Sequence, residues 1–397
     1  MADRLPSPTV APASAPGALA PSPVLPAYGG PCLDGVVPAL MAEPGARPAW
    51  VPEAAAEATQ VVLLVLDGLG WRQLEDRRRL APALAAMEGG AITSVAPTTT
   101  ATALTSIVTG SAPAVHGIVG YRLKVDGPSG DEVLNVLRWR TLSGDAREFV
   151  PPADFAARRP FSGHAVAVVS RASFKGTGFT VAHLGGSREV GYHMASGMAV
   201  ELRRLLAEGQ RFVYAYYEGV DKVAHISGFG DYYDAELVAT DRLVADVAAS
   251  LPAGAALVVT ADHGQVSVDD RLRPLDASLI DASALVSGEA RFRWLHAKAG
   301  RASELLDAAR GAYGHEAWVA TADELISGGW FGPAGEGGSA GGGMAPAVRR
   351  RIGDVAIVAH QPVGYLDPAD TGDVRLVCRH GSLTADEMLV PFLAWRP

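Results

Sequence analysis

The stretch VVLLVLDGLG, residues 61–70, decides the fold class of this chain. Its six leading apolar residues end at Asp67, and the apolar run Ala256–Thr260 ends in the same way just before Asp262 and His263. Continuous apolar runs of this length are typical of strands buried on both faces of a parallel sheet. Because ligands gather at the carboxyl ends of such strands, the polar residues that follow these two runs are candidate site residues.

Other segments predict a regular alternation of strands and helices. The predicted strands are 165–170, 179–183 and 212–217, and the predicted helices are 71–87, 101–108 and 232–250. Alternation of this kind indicates an α/β fold with a largely parallel sheet that helices cover.

Composition divides the chain into three parts. Residues 1–34 begin with an Ala- and Pro-rich stretch that has no sustained period, which predicts a flexible tail. Residues 35–270 and 371–397 form the predicted catalytic core. Residues 271–370 carry strand and helix patterns of their own at 291–296, 302–312, 317–326 and 354–360, which predicts a small inserted α/β cap with a mobile Gly-rich loop at 333–345. A strand-like run at 373–378 returns the chain to the core.

Net charge and cysteine content exclude some classes of binding partner and indicate the cellular compartment of the protein. A formal net charge of -9 opposes a surface that coats nucleic-acid polymers. No apolar run approaches the ~20 residues that span a bilayer, so we expect no membrane span. Two cysteines, Cys32 and Cys378, are too few for a disulfide framework, and the first residues lack the pattern of a secretory signal. These features indicate a cytoplasmic protein and leave its oligomeric state open.

Six potential metal ligands lie in four short segments. They are Asp67, Asp221 with His225, Asp262 with His263, and His380. A spacing of four residues places Asp221 and His225 on one face of a helix. Three Asp and three His suit Zn²⁺ or Mn²⁺, and two such ions could hold the attacking and departing oxygens of a phosphoryl transfer. The threonines at 98–100 offer a hydroxyl nucleophile.

These segments resemble the nucleotide pyrophosphatase/phosphodiesterase branch of the alkaline phosphatase superfamily. The similar stretches are VVLLVLDGLG, PTTTATALTSIVTG followed by HGIVG, DKVAH, TADHGQ and RHGSLTADEMLVPF. The resemblance implies an alkaline phosphatase-like three-layer α/β/α sandwich, and the insertion before His380 matches the position of a family cap.

The resemblance also implies roles for individual residues. One metal would be held by Asp221, His225 and His380. The other would be held by Asp67, the nucleophile, Asp262 and His263. The register of the following Val-Thr-Gly turn selects Thr100 as the nucleophile, and Thr98, Thr99 and Thr102 are the alternatives if that register is shifted.

Substrate recognition is the part of the resemblance that departs from the family pattern. Tyr121 stands where many members have an Asn that holds a phosphate oxygen, and a Tyr hydroxyl can also donate there. Five tyrosines near the Asp221 segment are candidates to stack on a nucleobase: Tyr214, Tyr216, Tyr217, Tyr232 and Tyr233. His116 is expected to form structural hydrogen bonds rather than to bind metal.

The predicted function is a two-metal phosphodiesterase that acts on a nucleotide through a nucleotidyl-threonine intermediate. Within the branch the chain looks most similar to actinobacterial enzymes that hydrolyse cyclic di-AMP, so cyclic di-AMP and its linear dinucleotide are the expected substrates, with AMP as product. The alternatives are another nucleotide pyrophosphatase, a phosphomonoesterase, a phosphonate hydrolase or a phosphomutase on the same scaffold, or an inactive nucleotide-binding protein.

Overall fold

A computed structural model describes residues 20–333, 344–370 and 376–397. The strands in chain order are β1 (Gln60–Leu66), β2 (Glu88–Thr93), β3 (Arg122–Gly127), β4 (Gly130–Asn135), β5 (Arg140–Thr141), β6 (Gly144–Asp145), β7 (Ala167–Arg171), β8 (Arg188–Tyr192), β9 (Phe212–Tyr217), β10 (Ala255–Thr260), β11 (Val266–Ser267), β12 (Leu272–Pro274), β13 (Ser283–Glu289), β14 (Phe292–Ala297), β15 (Ala317–Thr321), β16 (Val355–Ala359), β17 (Gly364–Leu366), β18 (Cys378–Arg379) and β19 (Leu389–Trp395).

The α-helices in chain order are α1 (Leu33–Met41), α2 (Glu53–Ala56), α3 (Trp71–Glu75), α4 (Pro82–Ala85), α5 (Thr100–Thr109), α6 (Pro113–His116), α7 (Pro152–Phe155), α8 (Gly178–Leu184), α9 (Ser196–Ala207), α10 (Gly219–Ser227), α11 (Asp231–Ala249), α12 (Ala277–Ala282), α13 (Ala302–Tyr313), α14 (Ala322–Ser327), α15 (Pro346–Arg349) and α16 (Ala385–Met388). Short 3₁₀ turns lie at Arg78–Leu80, Pro160–Gly163, Ala172–Phe174 and Asp269–Arg271. Among the described residues, no helix combines the length and apolarity that crossing a bilayer requires.

A seven-stranded sheet in the order β2-β19-β10-β1-β9-β7-β8 forms the centre of the molecule. Strands β10, β1, β9, β7 and β8 run parallel, whereas β19 is antiparallel to both of its neighbours. Every residue of Val61–Leu66 is fully buried. Because alternate residues of a strand face opposite sides, helices must cover both faces of the sheet. The predicted α/β class with a mainly parallel sheet is confirmed.

The inserted segment contains a second, smaller sheet. Strands β13, β14, β16 and β15 pair in that order, and all three pairings are antiparallel. The apolar side chains of Leu295, Leu305 and Ile357 join this sheet and α13 in a separate hydrophobic cluster. The strand and helix patterns predicted between residues 291 and 360 match β14, α13, β15, α14 and β16.

A buried ion pair joins this smaller sheet to α16, which follows β18. Arg291, in the turn between β13 and β14, donates to the two carboxylate oxygens of Glu387 at 2.7 and 2.8 Å, and both residues are fully buried. Glu387 also accepts hydrogen bonds from the Ser382 backbone and the Thr384 hydroxyl. The segment that follows His380 is thus held from two sides, and loss of either charge would leave the other buried and uncompensated.

Two predicted elements differ from the structure. Residues 179–183, expected to form a strand, lie in α8, whose start is capped by the Thr177 hydroxyl accepting from the Thr180 N–H. A short apolar run fits a strand or a buried helix equally, and here the cap favours the helix. The single helix predicted over 71–87 is divided into α3, a 3₁₀ turn and α4, because Pro82 at the start of α4 cannot continue a preceding helix.

Part of the predicted tail packs against the core. Cys32 is fully buried, the Val24 N–H donates to the Leu383 carbonyl, and the Tyr28 hydroxyl donates to the Trp330 carbonyl. These backbone partners give residues 24–34 a fixed path that their composition did not indicate. Most of the predicted Gly-rich loop at 333–345, and the first half of the strand-like run at 373–378, fall outside the described residues.

Candidate metal centre and active site

The structure brings all six predicted ligands to one edge of the central sheet. Asp67 follows β1 and Asp262 follows β10, while Asp221 lies in the first turn of α10, which follows β9. These three strands are adjacent and parallel, so their carboxyl ends coincide. His380 directly follows β18, which pairs with β11 just beyond the TADHGQ segment.

The ligands form two groups that we call the inner group and the outer group. The inner group is Asp67, Asp262 and His263, and the outer group is Asp221, His225 and His380. Ligand atoms of Asp221, His225 and His380 lie within 4.8 Å of one another. A second tight set, Asp67, Asp221 and His263, satisfies the same distance, so Asp221 lies between the two groups. The Asp262 Oδ2 atom lies 3.3 Å from His263 Nε2.

Each of the three histidines directs the same nitrogen toward the ligand carboxylates. The Nδ1 atoms of His225, His263 and His380 contact the backbone carbonyls of Cys378, Gly264 and Thr98 at 2.7, 3.1 and 2.8 Å. A carbonyl only accepts, so each Nδ1 carries the proton and each neutral ring keeps its lone pair on Nε2. This arrangement is typical of metal-binding histidines, whose second nitrogen is fixed by an outer partner.

Electrostatics at the inner group also fit a cation. Burial, and then the charges of Asp262 and Asp221, raise the pKa of Asp67, and burial raises the pKa of Asp262. The Asp67 Oδ1 and Asp262 Oδ2 atoms are buried without a hydrogen-bond partner in the described part of the chain. Buried carboxylate oxygens facing imidazole lone pairs are unfavourable unless a cation lies between them, so the donor set suits divalent metal ions.

Thr100 is the first residue of α5 and lies beside the inner group. Its hydroxyl oxygen is 3.2 Å from His263 Nε2. The other candidate hydroxyls differ: Thr98 bonds the Ser382 carbonyl, and the buried Thr102 hydroxyl has no partner among the described residues. The amino end of α5 places a positive partial charge at Thr100, which favours an anionic group there.

Several outer contacts were not predicted from the sequence. Gln265, beside the Asp-His pair, donates to Asp221 Oδ1 at 2.8 Å, and the Tyr216 hydroxyl donates to Asp67. Asn135 of β4 donates to the Tyr121 hydroxyl at 2.6 Å. Adjacency to the TADHGQ motif could have indicated Gln265. Asn135 had no such signal, since the hairpin formed by β3 and β4 is absent from the predicted elements.

Two cavities meet at Thr100. One, of about 270 Å³, is lined by seven apolar or aromatic side chains, among them Leu104, Leu137, Phe174 and Phe179, and by polar residues that include Asp67 and Asp221; we call it the apolar cavity. The other, of about 260 Å³, contains Tyr121 together with several charged residues and the outer group.

The five candidate stacking tyrosines lie in different environments. Tyr214 and Tyr216 line the apolar cavity, although the Tyr216 hydroxyl is bonded to Asp67. Tyr217 donates to Glu236, Tyr233 is buried beside Arg77, and Tyr232 is exposed. The structure therefore brings two of the five, Tyr214 and Tyr216, to the cavity beside Thr100.

His116 is fully buried and makes hydrogen bonds away from both ligand groups. Its Nδ1 accepts from the Ile118 N–H, so its Nε2 carries the proton and donates to the Ser106 hydroxyl at 2.8 Å. Its proton is on the opposite nitrogen from that of the three ligand histidines. The hydrogen-bonding role expected for His116 is confirmed.

Comparison with known proteins identifies a family whose model matches this chain. The model of the type I phosphodiesterase/nucleotide pyrophosphatase family matches residues 61–382. Murine ectonucleotide pyrophosphatase/phosphodiesterase 5, solved in an inactive form with AMP, is similar with a TM-score of 0.62 and 17% identity, over 85% of this chain and 88% of that one. No curated protein sequence matches the chain significantly.

A second structural neighbour has a different activity. Phosphonoacetate hydrolase from Sinorhizobium meliloti 1021, in complex with phosphonoformate, has a TM-score of 0.60 and 21% identity, over 85% of this chain and 90% of that one. Both neighbours share the alkaline phosphatase-like fold, and at these identities they establish the fold alone. The family match covers most of the chain, and the chain therefore belongs to the type I phosphodiesterase/nucleotide pyrophosphatase family of metal-dependent hydrolases.

Proposed function

We propose that this protein is a cytoplasmic two-metal phosphodiesterase that cleaves cyclic di-AMP and its linear dinucleotide to AMP, with Thr100 as the covalent nucleophile. One observation carries the proposal: the Thr100 hydroxyl lies 3.2 Å from His263, at the point where two cavities and both ligand groups meet. A phosphorus atom at this point could have one substituent in each cavity, as a diester requires.

The metal assignment follows the two ligand groups. Asp221, His225 and His380 would hold one Zn²⁺ or Mn²⁺ ion, and Asp67, Asp262, His263 and Thr100 would hold the other. When bound, the ions supply positive charge that lowers the pKa of a coordinated hydroxyl and offsets charge on the phosphoryl oxygens. The carbonyl contacts of the three imidazoles keep every Nε2 unprotonated for this purpose.

Two in-line displacements would complete the reaction. The Thr100 hydroxyl gives its proton to solvent, and its oxygen forms a bond to phosphorus while the bond from phosphorus to the sugar oxygen of the departing nucleoside breaks; that sugar oxygen takes a proton from solvent. Water then attacks the same phosphorus and loses a proton, the bond from phosphorus to Thr100 breaks, and the threonine oxygen takes up a proton. Because Tyr121 accepts from Asn135, its own O–H proton is available to a nonbridging phosphate oxygen.

The apolar cavity supports a nucleotide as the transferred group. Phe174 and Phe179 offer aromatic surface there, and base stacking on aromatic side chains contributes about 1–3 kcal/mol. The AMP bound to the murine neighbour is consistent with this choice.

A rival reaction is phosphonate hydrolysis, which the second neighbour performs. Its small substrate would leave the apolar cavity without a function. A phosphomonoesterase, another nucleotide pyrophosphatase, a phosphomutase and an inactive nucleotide-binding protein are the remaining alternatives.

Product analysis on the metal-loaded protein tests the proposal. Cyclic di-AMP, the linear dinucleotide, AMP and phosphonoacetate would each be incubated with the wild type, with Thr100→Ala and Thr100→Ser, and with Thr102→Ala as the matched control. We expect AMP from both dinucleotides, a loss of at least ~10³-fold in Thr100→Ala, partial activity in Thr100→Ser and near-normal activity in the control.

The covalent step has a separate readout. A trapped intermediate should carry the nucleotidyl group on Thr100, and two displacements should give net retention at a chiral phosphorus. Mapping of the adduct to Thr98 or Thr102 would move the nucleophile, and net inversion would favour direct attack by water. Faster turnover of phosphonoacetate than of either dinucleotide would replace the proposed function with the rival one.

A further inference from the structure

Five charged side chains besides the metal ligands line the second cavity at Thr100, which we call the polar cavity, and the proposed chemistry of Thr100 and the metal ligands does not account for them. This cavity of about 260 Å³ extends from Thr100 past the outer group. The five charged side chains are Arg122, Arg138, Glu289, Asp370 and Arg379. Three guanidinium groups in one cavity, against two carboxyl groups, give it the composition of an anion site.

The ion pairs within the cavity leave positive charge in excess. Asp370 accepts from both Arg122 and Arg293, so one carboxylate is shared between two guanidinium groups. Arg122 is 7% exposed, and its buried Nε finds no hydrogen-bond partner within the described ranges. The guanidinium of Arg138, at the exposed rim, has no ion-pair partner in the described part of the chain. Arg138 can therefore donate to a further anion, and the guanidinium of Arg122 adds positive charge to the same cavity.

Glu289 does not cancel this excess. It is only 9% exposed, and its Oε1 has no partner among the residues described. Burial raises the pKa of Glu289 to about 8, which favours the neutral form of this carboxyl group. A neutral carboxyl group adds a hydrogen-bond donor to the cavity without repelling an anion.

We propose that this polar cavity is the leaving-group subsite, and that Arg138 and Arg122 there select a leaving group that carries a phosphate of its own. The inference rests on the proposed function, in which the transferred nucleotidyl group occupies the apolar cavity. The departing nucleotide then extends into the polar cavity, where its other phosphate meets the two arginines. A linear dinucleotide with a terminal phosphate meets this requirement, and so does a cyclic dinucleotide through its second diester.

Two substrates that differ only in the phosphate on the leaving group measure the effect of that phosphate on cleavage. The linear dinucleotides pApA and ApA share the scissile diester and both bases, and only pApA has a terminal phosphate on its leaving group. A p-nitrophenyl ester of a nucleoside 5′-phosphate has a leaving group without phosphate and reports the transferred side alone. Wild-type protein should cleave pApA with a kcat/KM about tenfold or more above that for ApA, the scale of a hydrogen bond to a charged group.

Substitutions of Arg138, at the rim of the cavity, should change only the preference for pApA over ApA. Arg138→Ala should lower kcat/KM for pApA about tenfold, mainly through KM, and leave ApA and the p-nitrophenyl ester near their wild-type values. Arg138→Lys should retain much of the preference, and Arg138→Glu should reverse it. Arg140→Ala is the matched control, because Arg140 is an exposed arginine nearby on β5 that does not line the cavity.

The outcomes separate this inference from the proposed function. Equal kcat/KM for pApA and ApA in the wild type, or an unchanged preference in Arg138→Ala and Arg138→Glu, would overturn the leaving-group subsite while leaving the phosphodiesterase intact. No turnover of the p-nitrophenyl ester or of any dinucleotide would instead overturn the proposed function, and with it the subsite. Equal losses for all three substrates in Arg138→Ala would give Arg138 a general structural role and reject the selection.

Discussion

The inner and outer ligand groups lie side by side but differ in their access to water. The residues of the inner group are 0–3% exposed, whereas the side chains of the outer group are 10–17% exposed. In the inner group, Asp67 and Asp262 each keep a buried oxygen without a hydrogen-bond partner among the described residues. In the outer group, by contrast, Asp221 is bonded to Gln265.

This difference indicates that the fold is less stable without metal at the inner group than at the outer one. Asp67 and Asp262 are buried, and each has a carboxylate oxygen without a hydrogen-bond partner among the described residues. Such burial raises the free energy of the metal-free protein. Because the pKa of both groups is raised, metal binding there would compete with protonation, and metal affinity should increase with pH. Solvent partly hydrates the side chains of the outer group, so their burial destabilises the metal-free protein less. The outer group should therefore exchange its ion more readily.

The strongest test of the contrast is Asp262→Asn. We expect turnover to fall by more than ~10²-fold, beyond the range seen when only an outer-shell partner of a metal is lost. The metal-free variant, however, should be more stable than the metal-free wild type by about 1–3 kcal/mol. An Asn side-chain oxygen can keep the hydrogen bonds from the Gly68 and His263 N–H groups, and its NH₂ can donate to Asp67.

Thermal unfolding with and without chelator measures the change in stability, and an activity assay of the metal-loaded protein measures the change in turnover. His225→Gln in the outer group is the comparison, and it should lower turnover while changing the stability of the metal-free protein little. If the two variants changed the metal-free melting temperature alike, the distinction between the groups would be wrong. A folded, fully active Asp262→Asn would remove Asp262 from the metal site.

Gln265→Ala gives a smaller effect and sharpens the role of the shared carboxylate. Without the amide that fixes Asp221 Oδ1, metal affinity should fall about 10–100-fold while excess metal restores most of the activity. Metal titration monitored by activity provides the measurement. Gln60→Ala is a suitable control, since Gln60 donates to the Leu206 and Gln210 carbonyls at the opposite end of β1. An unchanged metal titration would show that Asp221 needs no such support.

His116 gives the smallest expected effect and a reference for a histidine outside the metal site. Burial, and then Arg351, lower the pKa of His116 to about 3 in the folded protein, whereas an unfolded histidine titrates near ~6.5. Between these values the unfolded state binds the extra proton, so stability falls with decreasing pH by up to about 1.4 kcal/mol per unit. The loss begins below the unfolded pKa and is complete near the folded one.

Chemical denaturation of the wild type and His116→Gln at pH 7.5 and 5.5 isolates this contribution, because all other titrations are common to both. The variant should lose less stability over this interval. A steeper loss in the variant would mean that His116 is charged in the folded state.

The sequence predicted which candidate ligands lie together better than it predicted the residues around them. Ligand positions could be predicted because each follows a strongly apolar strand or a helical spacing, and parallel strands align their carboxyl ends. Tertiary partners had no comparable local signal. Asn135, which contacts Tyr121, depends on a hairpin formed by residues 122–135, and α8 depends on a Thr177 cap that overrides an apolar run suited to a strand.

The same lack of a local sequence signal explains why the sequence did not predict the path of residues 24–34. Their Ala- and Pro-rich neighbourhood indicated a tail, whereas single long-range contacts from Val24 and Tyr28 hold this segment on the core. A boundary set by a few backbone hydrogen bonds leaves no periodic pattern to detect. The division into a core and a cap remains a proposal that domain-level unfolding experiments can examine.

The position of β19 has a consequence for how the molecule is made. This strand, the last described along the chain, lies between β10 and β2, and within the described residues it is the only strand paired with β2, which otherwise makes a single bridge from Thr93 to Cys32. During synthesis, β2 must therefore wait for some three hundred further residues, from Thr93 to Leu389, before its strand pairing can form. His380 is also made late, so a chain stalled on the ribosome before these residues emerge has neither a closed sheet nor a complete ligand set. Truncation products should accordingly expose unpaired strand edges and be cleared by proteases rather than accumulate as folded, metal-binding fragments.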